Sequence, residues 1–125
     1  MYKVAIRTKR TNPDFLNGVP ELLLLSLLSR RPMYGYELVQ AIRASTHGAL
    51  EFGEGCIYPI LHRLEAEGML LSKRETVAGR SRVIYRVTAK GSKQHASTVT
   101  TWQQIVQAIN DALQGGEHGQ PALAQ

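Results

Sequence analysis

Six leucines fall between Leu22 and Leu28, interrupted only by Ser26, and at the angular spacing of an α-helix they cover nearly the whole circumference. This predicts a helix over about Val19 to Arg30 that other elements bury on most sides. Pro20 suits its first turn, where a missing N–H costs nothing, and Glu21 suits the positive end of the helix dipole. Beyond Arg30-Arg31-Pro32, the residues Leu38, Ala41, Ile42 and Ser45 recur at three- and four-residue steps, the pattern of an amphipathic helix from Tyr34 to about Ser45. A glycine- and glutamate-containing turn from His47 to Gly55 follows. A third helical pattern then runs through Ile57, Leu61 and Leu64 to Gly68. Proline is tolerated only in a helix's first turn, so Pro59 puts the expected N-cap at Cys56 or just beyond, with Gly68 as the C-terminal cap. Two helices joined by a compact turn outline a helix-turn-helix.

The pattern then changes period. Met69 to Val77 and Arg82 to Thr88 are β-branched and charged with partial alternation, and Ala78-Gly79-Arg80-Ser81 between them reads as a turn, so a hairpin is expected. In its second strand Val83, Tyr85 and Val87 share one face while Arg82, Ile84 and Arg86 share the other, giving one packed and one mostly cationic face. Thr88 can cap a last helix from about Ala89 to Leu113, stopped by Gly115-Gly116. Along that helix Val99, Trp102, Val106, Ile109 and Leu113 follow at alternating steps of 3 and 4 residues, a heptad seam. It runs for only about two heptads, too short for a coiled coil that stands alone. It fits either a helix packed on its own domain or one exchanged between subunits, and the second is preferred because the leucine-rich first helix already fills the core of so small a chain.

The expected fold class is mainly α with a small β-hairpin: a winged helix-turn-helix followed by a C-terminal dimerisation helix. The division is a flexible basic arm over residues 1–13, the winged domain over 14–91, the dimerisation helix over 92–113 and a disordered tail over 114–125.

Composition narrows the chemistry. At 125 residues the chain has room for one modest core, and no apolar run approaches the ~20 residues a bilayer helix needs. The N-terminus lacks the apolar run of an export signal, so a cytoplasmic location is expected. The single cysteine, Cys56, rules out an internal disulfide framework, and His47, His62, His95 and His118 offer no paired zinc-ligand spacing, so neither metal nor cofactor is expected. Gly53-Glu54-Gly55 lacks the third glycine of a phosphate loop, and Ser, His and Asp form no nucleophile motif, so no catalytic residue is assigned and an enzyme is not expected.

The formal net charge is +5. Its distribution says more than its size: Lys73, Arg74, Arg80, Arg82, Arg86, Lys90 and Lys93 are opposed between Ser72 and Lys93 only by Glu75, while Gln94 to Gln125 holds no Lys or Arg. An anionic partner fits this block. Lys3, Arg7, Lys9 and Arg10 form a basic arm that either touches the same partner or is merely solvated.

Tyr34-Gly35-Tyr36-Glu37-Leu38, the run from Gly55-Cys56-Ile57-Tyr58-Pro59 through Leu61-His62-Arg63-Leu64-Glu65 to Gly68, Gly79-Arg80-Ser81-Arg82, and Tyr85-Arg86-Val87-Thr88 with Gly91 together resemble the PadR-type bacterial transcriptional regulators over roughly residues 16–91. The single C-terminal helix is similar to the compact subgroup of that family. The resemblance implies a dimeric winged-helix protein, usually a repressor, that binds double-stranded DNA at a pseudo-palindromic operator, and in some members a response to a small molecule. This sequence departs from the family at Cys56, where Ser or Thr is usual, and at Val83 and Ile84, where a basic residue and an aromatic are common.

Candidate DNA-binding residues are Tyr58, Pro59, His62, Arg63, Lys73, Arg80, Arg82 and Arg86. Burying Ile57, Leu61 and Leu64 turns Pro59, His62, Arg63 and Ala66 outward, toward a major groove. Arg63 is suited to a guanine or phosphate contact, with an ion pair to Glu67 at i+4 as the other reading. Tyr58 matches a family tyrosine that meets phosphate, with packing as the other reading. Arg80 and Arg82 at the wing tip suit phosphate or the minor groove, or are a solvated run. Val99, Trp102, Val106, Ile109 and Leu113 are the candidate dimer interface, where Trp102 is either an anchor or part of a site for a small aromatic effector. Two further functions are expected to compete: a winged-helix module that binds protein, and a thiol redox sensor through Cys56, whose place near a helix N-terminus favours a thiolate.

Overall fold

The computed structural model describes the backbone of residues 18–123 and the side chains as far as Gly115. The expected basic arm lies outside the described residues. The elements in chain order are α1 (Val19–Leu28), β1 (Met33–Tyr34), α2 (Gly35–Ser45), α3 (Glu54–Ala66), β2 (Leu70–Val77), β3 (Arg80–Val87) and α4 (Ala89–Leu123). The chain divides between His95 and Ala96 into two compact units.

In the first unit α1, α2 and α3 pack around a core in which Leu24, Leu25, Leu38, Ile42, Ile57, Leu61, Leu64 and Leu70 are almost wholly buried. The leucine-rich helix does contribute to it from several sides, with Leu24, Leu25, Leu27 and Leu28 buried and Leu22 and Leu23 partly so. Helix α1 ends at Leu28, earlier than the expected Arg30, and Ser29 closes it by donating from Oγ to the Leu25 carbonyl at 2.8 Å.

Pro59 is the sixth residue of α3, which starts at Glu54 with Gly53 as its N-cap. The expected start at Cys56 is therefore corrected. An interior proline costs about 3 kcal/mol, but Ile57, Leu61 and Leu64 are fully buried on this helix and contribute about 1.5–3 kcal/mol each. Core burial outweighs the local penalty, and the first turn is secured by the Cys56 and Ile57 N–H groups donating to the Gly53 carbonyl. At the other end Gly68 adopts φ 82°, and the Met69 N–H donates to the Leu64 carbonyl at 2.9 Å, so the expected glycine cap is present.

The sheet is antiparallel in the order β1-β3-β2. Strand β1 has no counterpart among the sequence-based expectations: two residues carry no alternation to detect, and Met33 and Tyr34 become a strand only because they pair with Tyr85 and Ile84. The hairpin turn is tighter than expected. Val77 pairs directly with Arg80, leaving Ala78 and Gly79 at φ 51° and 79° as a two-residue turn whose left-handed residues match the strand twist. Arg80 and Ser81 therefore belong to the strand.

Thr88 caps α4 as expected, its Oγ1 accepting from the Gly91 N–H at 3.0 Å. The same hydroxyl donates to the Gly68 carbonyl at 2.7 Å, and Lys90 Nζ donates to the Glu67 carbonyl at 2.8 Å. The start of α4 is thus fastened to the end of α3. A Cβ on Gly91 would strike the Met69 carbonyl oxygen, which explains why glycine stands there.

The second unit, from Ala96 onward, is the remainder of α4. The helix runs through Gly115 and Gly116 to Leu123, where the sequence suggested a stop. Glycine ends a helix by turning left-handed, and Gly115 is not among the described residues with positive φ. No helix of the described residues is long and apolar enough to cross a membrane.

Candidate nucleic-acid interface

Helix α3 and the β2-β3 hairpin carry the residues singled out for DNA. On α3 the positions opposite Ile57, Leu61 and Leu64 are Gly55, Pro59, His62 and Ala66, and all four are exposed. Three of them are small or apolar, so the ridge of this helix permits close approach by a partner.

Tyr58 lies on the flank toward the sheet and is half-buried. Its phenol crosses Gly35 so closely that any side chain at 35 would collide with the ring. Burial, and secondarily the Glu54 carboxylate, push its hydroxyl above the ordinary tyrosine value, against an opposing pull from Arg82. Tyr58 therefore stays a neutral hydroxyl near the Arg82 charge. Its ring centroid stands 6.3 Å from that of His62.

Arg63 lies on the opposite flank. Its Nη2 donates to Glu21 in the first turn of α1, and its Nη1 to both carboxylate oxygens of Glu67 at 3.2 and 3.3 Å. These carboxylates, Glu21 above all, hold its charged state more firmly than usual. The i+4 pair with Glu67 weighed from the sequence is present; Glu21, far away in sequence, had no signal that could have found it.

On the wing, antiparallel register places Leu71, Lys73, Glu75, Arg82, Ile84 and Arg86 on the face away from the core. This face is less uniformly cationic than alternation suggested. Ile84 is only 6% exposed, against β1. Arg86 Nη2 bonds Glu75 at 2.8 Å. Arg82 is half-buried with its guanidinium carbon 4.5 Å above the centre of the Tyr34 ring, a cation–π contact that holds the charged head, and its buried Nε has no hydrogen-bond partner. Lys73 and Arg80 are exposed, and neither forms an ion pair among the described residues. Tyr34 and Glu75, which set the posture of Arg82 and Arg86, escape sequence reasoning because both roles depend on strand pairing.

Cys56 is exposed near the start of α3, yet the surrounding protein desolvates the thiol and pushes it above its ordinary value. Less thiolate is available than the helix N-terminus alone would provide, which disfavours the redox reading. No cluster of potential metal ligands occurs among the described residues.

In the second unit Val99 and Trp102 are half-buried, while Val106, Ile109 and Leu113 are 46%, 51% and 74% exposed. Ile105, outside the heptad pattern, is exposed beside Ile109 on the same side of the helix.

Comparison with known proteins agrees with this geometry. Residues 24–97 match the model of the transcriptional regulator PadR-like family. A transcriptional regulator of Mycobacterium tuberculosis is 31% identical over 105 residues, covering 84% of this chain and 92% of the relative. Among solved structures, a PadR-like transcriptional regulator from Bacillus cereus is 32% identical with a TM-score of 0.73, covering 82% of this chain and 98% of that one. A transcriptional regulator from Clostridium thermocellum is 29% identical with a TM-score of 0.71, covering 79% and 94%.

Proposed function

Because the chain belongs to the PadR-like family of transcriptional regulators, we propose that it binds double-stranded DNA sequence-specifically as a homodimer and represses transcription at a pseudo-palindromic operator. One observation carries the reading. Within a single compact unit, α3 is anchored by three buried side chains and turns a ridge of small residues outward, beside a hairpin bearing Lys73, Arg80, Arg82 and Arg86. Pro59 and His62 on that ridge enter the major groove, Tyr58 donates its neutral hydroxyl to a backbone phosphate, and the wing cations meet phosphate or the minor groove. The Arg82 guanidinium is already held over the Tyr34 ring, so little side-chain entropy is lost when it meets DNA. The function is binding, with no catalytic step.

Dimerisation is supported by the exposed apolar side of α4. Ile105, Val106, Ile109 and Leu113 on one helix face make a stripe that a second copy would cover, with Val99 and Trp102 continuing the seam. Two-fold symmetry of the protein then demands half-sites related by the same symmetry. A small aromatic effector stacked against Trp102 at that axis would relieve repression, and titrating aromatic compounds against Trp102 fluorescence tests it.

Gel shifts on duplexes selected from genomic fragments, with excess nonspecific competitor, test the function. The wild-type chain should give a competitor-resistant shift, and Arg80→Ala should lower the log-affinity slope against log-salt by ~0.9, the share of one neutralised phosphate. A shift that competitor abolishes at every salt concentration would refute sequence-specific binding and favour the protein-interaction module.

A further inference from the structure

Arg63 is the one cation exposed on α3, and its terminal nitrogens are already engaged by carboxylates from two sides, Glu21 of α1 and Glu67 just past the end of α3. We infer that Arg63 is a positioning residue that sets the roll of α3 through Glu21, and is not itself a DNA contact; the inference rests on the DNA-binding reading above.

Three observations carry it. Arg63 is the tenth of 13 residues in α3, in the last turn, whereas a recognition helix reads base edges with its N-terminal residues. A bidentate contact to guanine needs two N–H groups of one guanidinium fork, so Arg63 would have to leave Glu21 or Glu67 and strand carboxylates beside a polyanion. The core face of α3 is made of Ile57, Leu61 and Leu64, whose burial is non-directional and tolerates small rotations about the helix axis. A charge-assisted hydrogen bond is directional. The Glu21–Arg63 bond ties the flank of α3 to the first turn of α1, Glu67 joins the same guanidinium, and the Glu67 carbonyl is held by Lys90 at the start of α4. The roll of α3 is thereby referred to α1 and to the start of α4, and base reading falls to the exposed ridge of Gly55, Pro59 and His62.

The two roles predict opposite signs for Glu21→Gln. This variant removes one negative charge beside Arg63 and leaves it ion-paired to Glu67 alone among the described residues, so a DNA-contacting Arg63 would bind more tightly. A positioning Arg63 keeps at most a neutral hydrogen bond to α1 in place of the charge-assisted one, and affinity falls about two- to fivefold. The experiment selects duplexes from a randomised pool with the wild-type chain, then titrates the enriched duplex with Glu21→Gln, Arg63→Met and Arg63→Lys across a salt series. Expected are weaker binding by Glu21→Gln and Arg63→Met, an unchanged salt slope, an unchanged base preference, and an intermediate affinity for Arg63→Lys. Unchanged or tighter binding by Glu21→Gln overturns the inference, as does a slope reduced by ~0.9 in Arg63→Met or the loss of preference at one base pair. A urea double-mutant cycle on Glu21→Gln and Arg63→Met should give a non-zero coupling, and zero coupling also overturns it. If the wild-type chain enriches no duplex, the DNA-binding reading falls instead, while the urea cycle still decides whether the two helices are tied.

Discussion

Replacing Gly91 by alanine tests whether the junction between α3, β3 and α4 is packed backbone against backbone. The added methyl would collide with the Met69 carbonyl oxygen and stand 2.8 Å from Val87 Cγ2 and 3.1 Å from the Met69 carbonyl carbon. Neither backbone atom belongs to a flexible side chain, so the helix start must move. Overpacking of this kind costs about 1–3 kcal/mol. The movement also strains the bond from the Thr88 N–H to the Met69 carbonyl at 3.0 Å, worth about 0.5–1.5 kcal/mol. Against this, alanine is the better helix former by about 1 kcal/mol. The balance is a loss of about 2 kcal/mol, or a urea midpoint lowered by about 1 M at an m-value near 2 kcal/mol/M. Gly115→Ala supplies the opposite sign in the same helix. A Cβ there meets nothing within 4 Å, so only the propensity gain remains and the midpoint should hold or rise. Both variants are to be compared at one protein concentration, because self-association of any chain makes its midpoint depend on it. A Gly91→Ala chain as stable as the wild type would refute the close approach and the fastening of α4 to α3.

Three further outcomes are expected. Gly35→Ala forces the Tyr58 ring off its seat and should cost more free energy of binding to the selected duplex than free energy of unfolding in urea, the two measured side by side. His95 is held below its ordinary pKa by burial, and its Nδ1 is buried without a partner. The native state therefore favours the neutral ring, so its contribution to stability is complete above the unfolded pKa and is lost as pH falls through the folded one. The urea midpoint of wild type should drop more steeply than that of His95→Gln between roughly pH 7 and pH 5. Desolvation raises the Cys56 thiol, so its alkylation by iodoacetamide should reach half-maximal rate at a higher pH in the folded chain than in urea. The matching linkage is stability lost only as pH climbs through the folded thiol value.

The elements that carry their own periodicity are legible in the residues alone. The leucines of α1, the Ile57-Leu61-Leu64 stripe of α3, the hairpin, Thr88 as a cap and Gly68 as a terminator are each determined by residues within a few positions of one another, because helix and strand patterns repeat at short range. Pro59 shows where local reasoning stops. Its penalty is local, but the burial that overrides it comes from helices brought in by the whole fold.

The sequence by itself determined that a basic hairpin would follow a recognition-type helix, and which of its residues would be candidates for DNA. Only the tertiary structure decided how those cations stand. Arg82 lies over Tyr34 because β1 joins the sheet, Arg86 answers Glu75 because β2 and β3 pair in one register, and Arg63 turns to Glu21 because α1 packs beside α3. Charge is a property of the residue, whereas its availability depends on which opposite charge or aromatic face the fold brings within a few ångströms, and Coulombic and hydrogen-bonding interactions are that short in reach in water.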